Sequence, residues 1–287
     1  MGTALRILAT LVVVALAVAA GAWLWHYYLY SPWTRDARVR ADVITVAPDV
    51  SGWVRTLSVA DNQGVERGDE LFRIDRARYR VAVDEAKAAV ASARARLERK
   101  RHVAERRSRL SREAISTEDR EAARIDTRVA EAALASAKAD LEKARLELER
   151  TTVTAPASGH VLNLQLAEGD YASAGTAVMA LVKSGSYYVT GYFEETKMPR
   201  IHAGDAAEVI LMSGDTRLGG HVAGIGRGIA DTNTAPNGQL LPQVQPTFNW
   251  VRLAQRIPVR IALDEVPAGT RLSAGMTATV RIIDDRD

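Results

Sequence analysis

The chain has 287 residues, 47% of them hydrophobic, a formal net charge of +3 and no cysteine. That apolar content supports one to three packed cores and excludes a disordered tail. The absence of cysteine excludes a disulfide framework, a thiolate nucleophile and a Cys-type zinc site, and the small positive charge falls well short of a nucleic-acid-binding balance.

From Ile7 to Trp25 the only polar side chain is Thr10. At ~1.5 Å per residue such a helix spans roughly 28 Å, about the hydrocarbon thickness of a bilayer, so residues 1–30 are expected to form an N-terminal transmembrane anchor. Trp23, Trp25, Tyr27, Tyr28, Tyr30 and Trp33 crowd its far end, where amphipathic rings favour the headgroup zone. A cleaved signal peptide is the other reading, with Ala17-Val18-Ala19 as a small-x-small site. Both readings place the long remainder in one compartment.

An internal repeat follows. VSGWVRTLSVADNQGVERGDELFRID (Val50 to Asp75) aligns without a gap on ASGHVLNLQLAEGDYASAGTAVMALV (Ala157 to Val182), at a constant offset of 107. Gly52 matches Gly159, Val54 matches Val161, Leu57 matches Leu164, Asp61 matches Glu168, Gly68 matches Gly175 and Ile74 matches Leu181. The pattern is that of short strands with alternating apolar positions, punctuated by glycine and Asx turns, each half exposing an apolar face that needs its twin. Residues 47–75 and 151–182 are therefore expected to form a split β-sandwich, with Gly52, Gly68, Gly159 and Gly175 as its structural glycines. Each half opens on Pro-x-x(x)-Gly, Pro48 to Gly52 and Pro156 to Gly159, and the pair resembles the half-motifs of biotinyl/lipoyl domains. In those carriers a tight turn presents a lysine for covalent attachment. Here residues 76–150 occupy that position, so no cofactor is expected.

Within 76–150, Tyr79, Val83, Ala86, Val90, Ala93, Leu97, Lys100 and Ala104 follow 4,3,4,3 spacing, and Thr127, Ala130, Leu134, Ala137, Leu141, Ala144 and Leu148 repeat it. This predicts two heptad-patterned arms of an antiparallel coiled-coil hairpin, each roughly 50 Å long at ~1.5 Å per residue. The break falls near Glu113 to Glu118, where Ser116 or Thr117 would cap the returning helix and Glu118 and Asp119 would favour its first turn. From Arg94 to Arg112 nine Arg or Lys stand against Glu98 and Glu105. Without interleaved aromatics that stripe is read as a solvated or acidic-partner face, and no nucleic-acid partner is expected.

After Lys183 the chain reads as short strands, Tyr187 to Phe193, Ala207 to Leu211, His221 to Ile225, Val259 to Leu263 and Thr277 to Ile283, which predicts an antiparallel β-barrel. One short helix is expected within Gly191 to Asp205, ending at Gly204, and a long loop from Gly226 to Phe248. Residues 38–46 have strand character and are assigned with 183–287 to this membrane-proximal region. No catalytic or metal site is expected: His26, His102, His160, His202 and His221 are far apart, and Gly224 to Gly228 lacks the glycine spacing and the Lys-Ser/Thr pair of a phosphate loop.

The fold class is thus mainly β with a long α-helical hairpin. Its order, anchor, half-motif, hairpin, half-motif and β-rich tail, resembles the hemolysin D type membrane-fusion proteins of tripartite efflux systems. SPWTRDAR (Ser31 to Arg38), ITVAPDVSG (Ile44 to Gly52), DNQGVERGDELFRID (Asp61 to Asp75), GYFEETK (Gly191 to Lys197) and NWVRLAQRIPVRI (Asn249 to Ile261) are most similar to the p-hydroxybenzoic acid efflux branch of that family. The resemblance implies a non-enzymatic periplasmic adaptor, single-pass in the inner membrane with its bulk in the periplasm, self-associating as a trimer or hexamer. It implies two partners, an inner-membrane aromatic-acid exporter and an outer-membrane TolC-type channel. It also implies channel contacts at the hairpin tip through Arg106, Leu110 and Ser116, with Arg109 and Thr117 beside them. A multidrug efflux adaptor, or a periplasmic substrate-binding module of an exporter, is the alternative.

Overall fold

The computed structural model describes residues 2, 7, 10–21, 31–110, 115–214, 216–229, 254–267 and 269–283. They divide into two compact units, one running from Val43 to Ser184 and one joining the chain up to Asp42 with the chain from Gly185 onward. Residues 10–21 are helical and exposed. Among the described residues no helix is long and apolar enough to cross a membrane, and residues 8, 9 and 22–25 of the expected span Ile7 to Trp25 lie outside them.

In the first unit two four-stranded sheets face each other. One has the order β2 (Val43–Val46), β9 (Met179–Lys183), β7 (Gly159–Leu162), β4 (Gly64–Val65); the other β6 (Thr152–Thr154), β5 (Glu70–Ile74), β3 (Gly52–Leu57), β8 (Tyr171–Ala172). Each sheet draws strands from both sequence halves, and one buried cluster, including Val54, Leu71, Phe72, Ile74, Val161 and Leu181, lies between them.

The 107-residue offset reappears as exchanged hydrogen bonds. The Val54 N–H donates to the Asp170 carbonyl at 2.8 Å, and the Val161 N–H donates to that of Gln63 at 2.9 Å. The Gly68 N–H donates to Ala155 and the Gly175 N–H to Pro48, both at 2.9 Å. Side chains obey the same rule. Glu168 accepts from the Leu57 N–H at 3.0 Å and Asp61 from the Leu164 N–H at 3.2 Å, while Ser158 accepts from Arg67 at 3.1 Å and Ser51 from Ala174 at 2.9 Å. Each half therefore satisfies backbone donors of the other, which no half can do alone. The matched glycines divide by role. Gly68 and Gly175 have φ of +99° and +76°, whereas a Cβ on Gly159 would lie 2.2 Å from the Val182 carbonyl oxygen and one on Gly52 2.6 Å from Ile74 Cγ2.

The hairpin rises from this sandwich between β5 and β6 as an outgoing helix (Ala77–Ser108) and a returning helix (Thr117–Glu149). At the base the Asp75 carboxylate accepts from the Ala77 N–H at 2.8 Å, and that bond, with Arg55 nearby, holds its pKa below the ordinary aspartate value. The chain re-enters beside its exit, where the Ile74 N–H donates to the Thr151 carbonyl at 2.8 Å. Tyr79 packs into the sandwich core and donates its hydroxyl to the Ser51 carbonyl at 2.8 Å. The heptad positions face inward. Val83, Leu141 and Ala144 are buried, with Ala86, Val90 and Leu148 against them, and Lys100 at a seam position reaches Asp126 at 2.6 Å.

In the second unit six antiparallel strands close a barrel in the order β1 (Trp33–Arg40), β10 (Tyr188–Glu194), β13 (Arg256–Leu263), β12 (Arg217–Ile225), β11 (Ala206–Leu211), β14 (Thr277–Ile283). Alternate side chains, among them Val39, Val189, Phe193, Val209, Leu218 and Ile261, fill it.

Two expectations change. The stretch 38–46, assigned whole to the barrel, divides: Arg38 to Arg40 belong to β1, while Val43–Val46 pair with Val182 to Met179 in the sandwich, Val46 pointing into its core. The short helix is a 3₁₀ turn over Glu195–Arg200 rather than a helix running to Gly204, because Pro199 supplies no N–H for a continued ladder. Gly204 instead holds a turn at φ +94°. Most of the expected loop Gly226 to Phe248 lies outside the described residues, as do 111–114 at the hairpin break.

Candidate functional site

The hairpin tip is built by the ends of the two helices. The outgoing helix finishes at Ser108 with Arg106 and Arg107 in its last turn, where cations favour the carbonyl end of a helix. The returning helix starts on Ser116, whose Oγ accepts from the Asp119 N–H at 3.0 Å and donates to the Asp119 carboxylate at 2.7 Å. Ser116 is therefore the N-cap, and its hydroxyl is committed to its own helix.

The remaining tip residues divide into outward and bracing groups. Arg106 is exposed and makes no ion pair among the described residues. Leu110 is 44% exposed and lies off the covered seam, as do the exposed Val81, Ile125, Val129 and Leu146 of the same hairpin. Arg109 pairs with Glu105 one turn back. Two arginines that the sequence did not single out tie the arms together. Arg107 donates to the Asp119 carbonyl at 3.3 Å, and Arg120 donates to the Leu110 carbonyl at 2.5 Å while its own N–H bonds to the Ser116 carbonyl at 3.3 Å. Arg120 thus brings Leu110 and Ser116 into one bonded cluster. Arg106 stands one helical turn before Leu110 and outside that cluster.

The basic stripe behind the tip is partly neutralised across the hairpin, by Lys100 with Asp126 and by Arg101 with Glu131 at 2.7 Å. These pairs are exposed and add little stability, but they hold the two arms in register. Among the described residues no three His, Asp or Glu side chains converge as a metal-ligand set.

This architecture has counterparts among known proteins. Residues 42–184 match the family model of the RND MFP barrel-sandwich hybrid domain, and residues 186–283 that of the AAEA-like beta-barrel domain. The chain belongs to the membrane-fusion protein family. Members of this family are non-enzymatic periplasmic adaptors of efflux systems.

A relative of this membrane-fusion protein in Escherichia coli (strain K12), the uncharacterized protein YdhJ, is 42% identical over 278 residues, spanning 97% of this chain and 98% of the relative. In fold it is similar to the membrane fusion protein Spr0693 of Streptococcus pneumoniae R6, with a TM-score of 0.64 at 18% identity over 89% of this chain and all of that one. It is also similar to a MacA-MexA chimera carrying the Pseudomonas aeruginosa MexA alpha-hairpin domain, with a TM-score of 0.62 at 20% identity over 88% and 82% of the two chains.

Proposed function

We propose that this membrane-fusion protein is the periplasmic adaptor of a tripartite pump that exports aromatic carboxylic acids. The observation that carries the adaptor role is the hairpin. Where a carrier domain would present a lysine on a tight turn, this sandwich projects two helices of 32 and 33 residues, each about 50 Å long at ~1.5 Å per residue. Helices so thinly packed along most of their length stabilise the sandwich little, and their reach serves contact with another protein. The exposed Leu110 and Arg106 at the end of that reach are the surface offered to an outer-membrane channel of the TolC type.

The apolar run Ile7 to Trp25 anchors the chain as a single span in the inner membrane and leaves the rest in the periplasm. The barrel, next in sequence to that anchor, meets an inner-membrane exporter, which supplies energy and translocation. Copies of the chain associate as a trimer or hexamer to form the duct between the two. The substrate class is supported by the similarity of Ser31 to Arg38, Gly191 to Lys197 and Asn249 to Ile261 to the p-hydroxybenzoic acid efflux branch.

Deletion of this chain together with its inner-membrane exporter tests the reading. Tolerance to aromatic carboxylic acids is expected to fall while tolerance to cationic drugs stays unchanged. The reverse result favours a multidrug adaptor, and loss of neither removes the efflux role.

A further inference from the structure

The two halves of the repeat build the two sheets alike but clothe their outer faces differently. On one sheet a cross-strand row runs Val43, Val182, His160, Gly64, through β2, β9, β7 and β4. The offset of 107 carries Gly64 to Tyr171, His160 to Trp53 and Val182 to Asp75. The second sheet holds that row too, for Trp53 pairs with Tyr171 across β3 and β8, and the Asp75 N–H donates to the Trp53 carbonyl at 2.8 Å. Val43, His160, Gly64, Trp53 and Tyr171 are exposed, so both rows face away from the shared core. Equivalent positions thus carry two aromatic rings on one sheet and a histidine and a glycine on the other.

The aromatic pair stands proud of its face. Trp53 is 59% and Tyr171 50% exposed, and their rings meet edge to face with centroids 5.3 Å apart. The exposed Arg78, at the base of the hairpin, stands beside them. It lies over the Tyr79 ring at 4.6 Å and donates to the Ser51 carbonyl, and a hydrogen bond to Tyr79, with Tyr171 adding to it, holds its pKa above the ordinary arginine value. On the opposite sheet the matching place is a recess of about 540 Å³ at Gly64 and His160, lined also by the exposed Glu66 and Asp69.

We propose that the aromatic pair of one copy seats in this recess of the next, so that the sandwich is the joint through which copies of the chain associate. The charges agree, with a cation beside the rings and two carboxylates around the recess. Trp, Tyr and Arg are also the side chains in which binding energy concentrates at interfaces. Because the two faces lie on opposite sheets of one sandwich, the contact joins unlike surfaces and repeats in one direction, as a ring requires. A twofold contact would instead set Trp53 against Trp53. The joint rests on the self-association proposed above and is independent of what the pump exports.

The test places the photoreactive residue 4-benzoylphenylalanine at position 53 of the full chain, purified in detergent micelles, where it keeps an aromatic side chain on the face. Irradiation is expected to link one chain to another, with the link mapped by mass spectrometry to segments 64–69 and 158–162 of the neighbour. In sedimentation, association is expected to weaken about tenfold in Trp53→Ala and about threefold in Glu66→Lys. Arg217→Gln, on an exposed pair of the barrel, should leave it unchanged. Both altered side chains are exposed, so thermal unfolding of Trp53→Ala and Glu66→Lys should match that of the parent chain. Links to β3 and β8 of a second copy would reveal a twofold contact and overturn the joint, as would undiminished association in Trp53→Ala. An oligomer without the expected link would overturn the joint and leave self-association to another surface. A monomer at every concentration would remove self-association and the joint together, while the acid-tolerance test of the deletion strain would stand apart from both.

Discussion

The sandwich and the hairpin share one compact unit and are held together in different ways. In the sandwich fifteen buried hydrophobic residues, joined by Tyr79 from the base of the outgoing helix, form one cluster, and the halves exchange backbone hydrogen bonds. In the hairpin the corresponding cluster holds three, Val83, Leu141 and Ala144, all toward its base. A defect in the first structure is therefore shared by every strand, while a defect in the second stays close to the turn that carries it. The difference suits the proposed adaptor role, in which the base is a single rigid body and the tip presents side chains that its own fold does not need.

Phe72→Ala should separate the two regions most clearly. Phe72 is fully buried, and its truncation is expected to cost about 3–5 kcal/mol, read as lost hydrogen-exchange protection throughout β3, β5, β7 and β9. A loss confined to β5 would show that the sandwich is less cooperative than its exchanged bonds require. Leu141→Ala removes a comparable side chain from the hairpin seam. About 2 kcal/mol is expected, at the lower end of such substitutions because the narrow seam leaves the site room to collapse, and exchange should rise in the helices while the strands stay protected.

Ser116→Ala deletes the N-cap at the far end. About 1 kcal/mol is expected, seen as fraying of the first turn of the returning helix, with the sandwich untouched. Fraying would also loosen Arg120 from Leu110, so export should weaken partially. Leu110→Asp has the smallest expected effect on stability, under about 0.5 kcal/mol for a surface position, and should abolish export with membrane insertion intact. Normal export in that variant would show that Leu110 is ordinary surface.

Much of this fold is legible in the sequence because its repeating physics leaves repeating residues. The gapless offset of 107 exists because Val54 and Val161, and Gly68 and Gly175, make the same bonds in exchange, and an insertion in either half would break them. The seam of the hairpin is legible for the same reason, since every turn of each helix needs an inward residue. Other features have no period. The allegiance of Val43–Val46 to the sandwich depends on its partner Met179 to Val182, which a strand pattern does not name. At the tip the N-cap at Ser116 follows from local chemistry, whereas the braces from Arg107 and Arg120 depend on the reach of long side chains across a turn. The barrel is further still from sequence reading, because its closure sets β1 between β10 and β14, strands far from it in the chain.

The exchanged hydrogen bonds also impose an order in time. As the chain emerges, Val54 and Gly68 have no acceptors until Ala155 and Asp170 have been made, so the first half must wait through the synthesis of the whole hairpin. The helices, whose contacts are local, can form during that wait. Once paired they bring Ile74 and Thr151 together and replace the closure of a loop of about 75 residues with that of a nearly preformed joint. The arm proposed to reach another protein thus first serves as the fixture on which its own base is assembled.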